Sequence, residues 1–341
     1  MTKTAVIILN WNGLEFLKKF LPSVVKYSLN NGTEICIADN GSTDGSAEWI
    51  NLNFRDVRLI RLEKNFGFSD GYNRAIEQID AQYYILLNSD IEVTPGWLEP
   101  LISCLDDNPD VASCQPKILS YNRKDHFEYA GAAGGFIDKY GYPLCRGRVI
   151  TELEKDNGQY DTPADIFWST GACMAVRSDA WKKCGGFDPE FFAHMEEIDL
   201  CWRFKSMGYR VVYNPESEVY HVGGGTLTKE NPFKTYLNFR NNLYLLYKNM
   251  GPDSFRLILF KRLILDGIAA IRFALYFDFK CAFSVFKAHM DFYKSIKSTK
   301  IKRQNNLKLF KVFKHKEIYH KSIVFNYFLW QKRTFNQLTF L

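Results

Sequence analysis

The run Tyr83-Tyr84-Ile85-Leu86-Leu87-Asn88-Ser89-Asp90-Ile91-Glu92-Val93 carries the architecture of the chain. Its first five residues are apolar and either aromatic or branched, which suits a short strand covered on both faces, as in a parallel sheet. The run then stops at three polar residues, Asn88, Ser89 and Asp90. Open α/β sheets keep their ligands at the carboxyl ends of central strands, and a carboxylate there resists burial unless it is paired or binds a cation. A hard divalent ion that also holds a diphosphate would meet that need. A turn capped by Asn-Ser-Asp is the competing explanation, and the flanking sequence weighs against it.

Working outward, the same pattern recurs. Thr4 to Asn10 reads as a buried strand, broken by Trp11-Asn12-Gly13 before Leu14, Leu17, Leu21, Val24 and Val25 recur at helical spacing to Ser28. Glu34 to Ala38 is a second strand that ends in Asp39-Asn40-Gly41-Ser42-Thr43-Asp44-Gly45-Ser46, and Val57 to Leu62 is a third. After it, Asn65-Phe66-Gly67-Phe68-Ser69-Asp70-Gly71-Tyr72-Asn73-Arg74 leads into a helix expected from about Ser69 through Ile79. Strands alternating with helices predict a mostly parallel sheet with helices on its faces. Its loops gather Asn, Asp and Gly on one edge, which suits a nucleotide: Asp39 is placed to accept from a base or ribose, and Gly67 and Gly71 open a helix whose amino end can face phosphate. Plain turns and helix caps explain any one of these positions, but less well all of them together with Asp90.

The 341 residues, 46% hydrophobic and 16% aromatic, are enough to bury a large core in one big domain or two. The eight cysteines show no Cys-x-x-Cys spacing and no leader precedes the first strand, so reduced cysteines in a cytoplasmic protein are expected. The net charge of +6 is uneven: residues 280–341 hold 14 Lys plus Arg against 2 acids, which leaves the rest of the chain acidic. An acidic body argues against a nucleic-acid binder.

The ordered motifs Val6-Ile7-Ile8-Leu9-Asn10-Trp11-Asn12-Gly13, Ala38-Asp39-Asn40-Gly41-Ser42-Thr43-Asp44-Gly45-Ser46, Asn65-Phe66-Gly67-Phe68 with Asn73-Arg74-Ala75, and Leu87-Asn88-Ser89-Asp90 resemble a family 2 glycosyltransferase of the rhamnosyltransferase-like kind. The resemblance covers residues 4 to about 250. It implies a GT-A fold, a nucleotide-sugar donor, a divalent metal (Mg²⁺ or Mn²⁺), inversion at the anomeric carbon, and a glycan or lipid-linked acceptor. It further implies donor contacts at Asn10, Asn12, Asp39, Asn65, Gly67 and Asn73. The usual Asp-x-Asp is Asn88-Ser89-Asp90 here, so Asp90 is expected to hold the metal and Asn88 to touch ribose or phosphate.

A second cluster follows. Residues 120–165 are rich in Gly and Tyr and poor in regular pattern, and are expected on the acceptor side as an irregular segment. Past Phe191-Phe192, the run His194-Met195-Glu196-Glu197-Ile198-Asp199-Leu200 opens a helix with three acids in its first turn. Acids favour that end of a helix on electrostatic grounds alone, but inverting glycosyl transfer also needs a carboxylate to take the acceptor proton. Matched to the family's Glu-Asp-x-Asp, the base is Glu197, with Glu196 and Asp199 as alternatives. His221 ends a strand before Gly223-Gly224-Gly225, and in relatives the His at this place looks like a metal ligand. Arg240 is suited to fork onto diphosphate oxygens, and equally to a solvated helix face.

The expected organisation is a glycosyltransferase domain over residues 1–250, its nucleotide-binding half 1–118 and its acceptor and catalytic half 119–250. A helical, basic region, 251–341, follows. No run of about 20 apolar residues exists there to span a bilayer. A basic, amphipathic segment at an anionic membrane, peripheral on the cytoplasmic face, is expected; a self-packed helical subdomain is the competing reading. Asn88 and the Glu at 197 also leave open a nucleotide-sugar or carbohydrate binding protein of the same fold without catalysis.

Overall fold

The computed structural model describes residues 2–29, 32–223, 231–253 and 255–340. The amino-terminal half is β1 (Thr2–Asn10), α1 (Leu14–Ser28), β2 (Thr33–Asp39), α2 (Ser46–Asn53), β3 (Val57–Arg61), α3 (Gly67–Ile76) and β4 (Ala81–Asn88). Strands β3, β2, β1 and β4 pair in parallel. Alternate residues of β1 feed opposite cores: Ala5 and Ile7 join Tyr72 and Ala75 of α3 on one side, and Val6 and Ile8 join Leu17, Leu21 and Val24 of α1 on the other. This is why these strands read as unbroken apolar runs. The register places Asn10 opposite Asp39 and Leu9 opposite Asn88, which lines up the carboxyl ends of the strands on one edge.

Next come β5 (Ile91–Val93), α4 (Glu99–Asp107), β6 (Val111–Ser120), β7 (Gly135–Asp138), β8 (Pro143–Cys145), β9 (Arg148–Val149), β10 (Glu152–Leu153), β11 (Ala164–Asp165), β12 (Cys173–Arg177), α5 (Ser178–Cys184), α6 (Glu196–Ser206) and β13 (Arg210–His221). The main sheet has nine strands in the order β11-β13-β6-β12-β4-β1-β2-β3, with β5 paired to β13. Only β5, β11 and β12 run against their neighbours. Helix α4 starts at Glu99, after a turn at Gly96-Trp97. There Gly96 takes φ +74° in a turn, and the buried Trp97 bonds its indole N–H to Ser28 Oγ at 3.1 Å.

Residues 120–165, expected to be irregular, form most of a second sheet of five short strands, β10-β9-β8-β7 plus a last strand from the end of the chain. After α7 (Pro232–Asn249) come α8 (Phe255–Leu275), α9 (Phe279–Lys294), α10 (Ile296–Leu309), β14 (Ile318–Tyr319) and α11 (Ile323–Phe328). β14 pairs in parallel with β7, and Phe335 and Phe340 pack on Phe136. The carboxyl-terminal segment is thus helical, as expected, but it also completes a sheet of the body.

Candidate active site

Strand pairing builds the first cluster. β5 runs antiparallel to β13 with Ile91 opposite His221, which sets Asp90 beside the imidazole. Asp90 Oδ1 lies 3.1 Å from His221 Nε2, and Glu128 Oε2 lies 3.0 Å from His221 Nδ1. All three side chains are buried. Burial opposes the imidazolium, but Glu128 and then Asp90 outweigh it and push His221 up to about 10. Burial likewise raises both carboxyls, and the His221 charge reverses this, so Asp90 and Glu128 sit below their ordinary values.

Among the described residues, no three His, Cys, Asp or Glu side chains are arranged to hold a metal ion. The donor chemistry nonetheless fits one. A carboxylate and an imidazole nitrogen adjoin, and the other ring nitrogen faces a second carboxylate as an ion pair without an aligned hydrogen bond, a placement close to the one that orients a metal-ligating histidine. Substrate oxygens would supply the remaining ligands, as is usual for Mg²⁺. Glu128 was missed in the sequence because a bridge between Leu119 and Phe127 brings it in from the segment read as irregular. Gly224 and Gly225, which follow His221 in the glycine run, lie outside the described residues.

The second cluster is the first turn of α6. Glu196 and Glu197 each keep one buried carboxyl oxygen, Oε2, without a hydrogen-bond partner. Burial raises the Glu197 carboxyl to about 7 against the resistance of nearby backbone N–H groups. Burial and then the Glu197 charge push Glu196 well above its ordinary value. Asp199 differs. It is fully buried, with Arg203 Nη2 at 2.8 Å, Lys248 Nζ at 2.9 Å and Asn249 Nδ2 at 2.7 Å. Burial raises it, but Lys248 and Arg203 prevail and hold it low. With both oxygens engaged and no proton affinity near neutrality, Asp199 is a structural anion.

Lys248 also bonds Asp188 at 2.6 Å. Removing one partner of a buried ion pair costs roughly 3–5 kcal/mol, so Lys248→Met should lower the unfolding free energy in denaturant by about 3 kcal/mol. A loss below about 1 kcal/mol, the worth of an exposed pair, would show that the network adds no more than a surface pair.

The segment before α6 is strained: Phe192, His194 and Met195 take φ of +63°, +68° and +75°. Such conformations persist only where the surroundings over-determine them. Asn241 Nδ2 donates to the carbonyls of Phe191, Ala193 and His194. Phe192 O accepts from the N–H groups of Phe68 at 2.7 Å and Ser69 at 3.1 Å, and the Phe192 ring covers Gly67, where an added Cβ would lie 2.5 Å from it. The amino end of α3, expected to face phosphate, instead grips the loop that carries the acids. This docking brings them to the ligand edge of the sheet.

Most of the expected donor contacts are also bonded within the protein. Asn10 Nδ2 donates to Asp39, Ser42 and Ser46, and Asn12 Oδ1 accepts from Thr43 N. Asp39 also accepts from Ser42 N, and Asn65 Oδ1 accepts from Asn40 and from Gly67 N. Asn73 makes a reciprocal pair with the Phe187 backbone. Arg240, expected on diphosphate, donates to Glu190 O, Phe191 O and Asn241 Oδ1. The Asn88 side chain, half-buried at the end of β4, has no such partner among the described residues, and the buried Asn10 Oδ1 has none either.

A parallel half-sheet with polar loops on its carboxyl edge, continued by antiparallel strands that bring a histidine to an edge aspartate, defines a glycosyltransferase of the GT-A type. The chain belongs to glycosyl transferase family 2, whose model matches residues 5–179. It is 27% identical over 234 residues to an N-acetylglucosaminyl-diphospho-decaprenol L-rhamnosyltransferase of Mycobacterium tuberculosis, covering 63% of this chain and 75% of that protein. To the rhamnosyltransferase WbbL of Escherichia coli it is 35% identical over 163 residues, 46% of this chain and 61% of that one. The crystal structure of GalNAc-T7 with UDP, GalNAc and Mn²⁺ shares the fold at a TM-score of 0.59 and 16% identity; the match spans 75% of this chain and about half, 49%, of that one.

Proposed function

We propose that this glycosyltransferase inverts its sugar, taking rhamnose from a deoxythymidine diphosphate donor and passing it to a cell-surface polysaccharide or lipid-linked glycan. The observation that carries the chemistry is Glu197, a carboxyl raised to about 7 with one oxygen unpartnered. A general base works best with a pKa near the operating pH. The Glu197 carboxylate takes the proton of the attacking hydroxyl, and Glu196, held protonated by burial, leaves Glu197 as the charged member of the pair. Asp90 and His221, once its imidazolium has released a proton, would hold Mg²⁺ or Mn²⁺, with Glu128 facing the other ring nitrogen. The ion, when bound, offsets the charge that develops on the leaving diphosphate.

Asn88 contacts ribose or phosphate. Asp39, Asn10, Asn12, Asn65, Gly67, Asn73 and Arg240 shape the donor side, several of them by holding loops rather than by touching the nucleotide. The rhamnosyltransferases among the relatives support rhamnose as the sugar, the decaprenol-linked acceptor in the first one's name supports a lipid-linked acceptor, and the Mn²⁺ bound to GalNAc-T7 supports the metal. Catalysis belongs to residues 1–250, while 251–341 rest at the inner face of the plasma membrane, where a lipid-linked acceptor is presented. Among the described residues no helix is long and apolar enough to cross a membrane. A panel of nucleotide sugars with Mg²⁺ or Mn²⁺ tests the reading: release of deoxythymidine diphosphate from the rhamnose donor, dependent on acceptor, is expected. Preference for another nucleotide would overturn the donor, and no turnover with any would overturn the reaction.

A further inference from the structure

Helix α8 packs Phe255, Ile258, Leu259 and Leu263 on the core and turns a second apolar face outward. Of its 21 residues the buried ones are Arg262 and Asp266, which pair at 2.7 Å against the body. Arg262 also donates to Tyr140 O at 2.9 Å, and His289 Nε2 of α9 meets Asp266 at 3.1 Å. The opposite face, Leu257, Phe260, Ile264, Ile268, Ile271 and Leu275, follows helical spacing and is exposed along its whole length. α9 continues the pattern with exposed Phe279, Phe283, Phe286 and Met290. Between them, the turn of the hairpin presents Tyr276 at 74% and Phe277 at 82% exposure. A helix facing water buries its apolar stripe and exposes its charges, and a patch this continuous marks an interaction surface.

Resting on the membrane placement above, we propose that the α8–α9 hairpin inserts its apolar tip and outer faces into the acyl boundary of an anionic lipid bilayer. Charge selects the bilayer over a second copy of the chain. Lys280 and Lys287, seven residues apart, lie beside the α9 stripe, and Arg256, Lys261 and Arg272 flank that of α8; all five are exposed. The acids of the hairpin are occupied: Asp266 in its ion pair, Asp278 in capping α9, and Asp291 with Tyr236 and Lys294. A second copy would set these cationic rows against each other, whereas anionic headgroups match them while the side chains between reach the acyl layer.

The charge count of the tail overstates its attraction to lipid, which makes the apolar tip decisive. Lys302 is bonded to Asp188 and Glu190, Lys316 to Asp165 and Arg333 to Glu152. Attachment therefore survives salt that screens surface charge to within a few ångströms.

The test is sedimentation of the full chain with phosphatidylcholine vesicles containing one-quarter phosphatidylglycerol, at low and high salt. Wild type is expected to bind in both. The variant Leu275→Ser/Tyr276→Ser/Phe277→Ser, with an unchanged unfolding midpoint, should partition about 100-fold less, since each lost side chain removes apolar surface that enters the lipid. Equal partitioning of that variant would overturn the insertion and leave membrane placement standing; no binding by wild type would overturn both. Self-association of wild type that the variant abolishes, with no lipid binding, would assign the face to a second copy. In Phe277→Trp, acyl-chain-brominated lipid should quench more emission than in wild type, and equal quenching would contradict insertion.

Discussion

Asp90→Ala is expected to abolish sugar transfer in a protein that still folds. Its carboxylate adjoins His221 Nε2, and in the proposed mechanism both would hold the divalent ion. Loss of one preorganised electrostatic contact to a developing charge typically costs 10²–10³-fold, and loss of a metal ligand removes more than one such contact, so a fall of at least about 10³-fold is expected. The fold survives because His221 keeps Glu128 as a partner at 3.0 Å; one lost charge-assisted bond costs roughly 1.5–3 kcal/mol. Calorimetry of donor binding with and without Mn²⁺ separates this role from a structural one. The wild type should bind more tightly with the ion and the variant should not. Undiminished turnover by folded Asp90→Ala would contradict the assignment.

Glu197→Gln has the second largest expected effect, a loss of about 10²- to 10⁴-fold in turnover with donor affinity nearly intact. The base acts only when deprotonated, so the wild-type rate should rise with pH and level off above about 7. The variant should lose that dependence. Stability should move the other way. The folded pKa of Glu197 lies above its ordinary value of 4.5, so stability is lost as pH rises from 4.5 through about 7. Glu197→Gln should therefore be more stable than wild type at pH 8, by up to about 3 kcal/mol. Asp199→Asn is the contrasting control, because it breaks an ion pair and should lose stability first. Turnover lost only in Asp199→Asn, with binding and folding preserved, would move the base.

These two positions stand out in the sequence as candidates because polar chemistry there coincides with local punctuation. Asp90 follows a buried apolar run, and Glu197 opens a helix after Phe191-Phe192. The parallel half of the sheet was legible for a related reason: strands covered on both faces cannot tolerate polar residues, so β1, β2 and β4 announce themselves. The second sheet was not, since its strands of two to four residues are too short to show a period of two. Glu128 was hidden because its approach to His221 depends on pairing across the chain rather than on spacing.

The Asn-rich loops were read correctly as a shared edge, but sequence cannot tell a side chain that meets a ligand from one that bonds its neighbour, as Asn40 bonds Asn65. The amino end of α3 failed the same way: its free N–H groups were expected to hold phosphate, yet a carbonyl more than 100 residues away occupies them. In α8 the apolar density was plain, but composition does not say which face the body covers. Arg262 and Asp266 lie on the covered face beside Ile258, Leu259 and Leu263, and an equally apolar face is left outside.

The central claim is a single displacement in which one carboxylate, Glu197, deprotonates the acceptor and no sugar–enzyme bond forms. The measurement that meets it most directly is the anomeric configuration of the product, read from the one-bond carbon–proton coupling at the transferred sugar. Inversion relative to the nucleotide-sugar donor is expected. Retention would require a second displacement or attack from the leaving-group face, and would contradict the account.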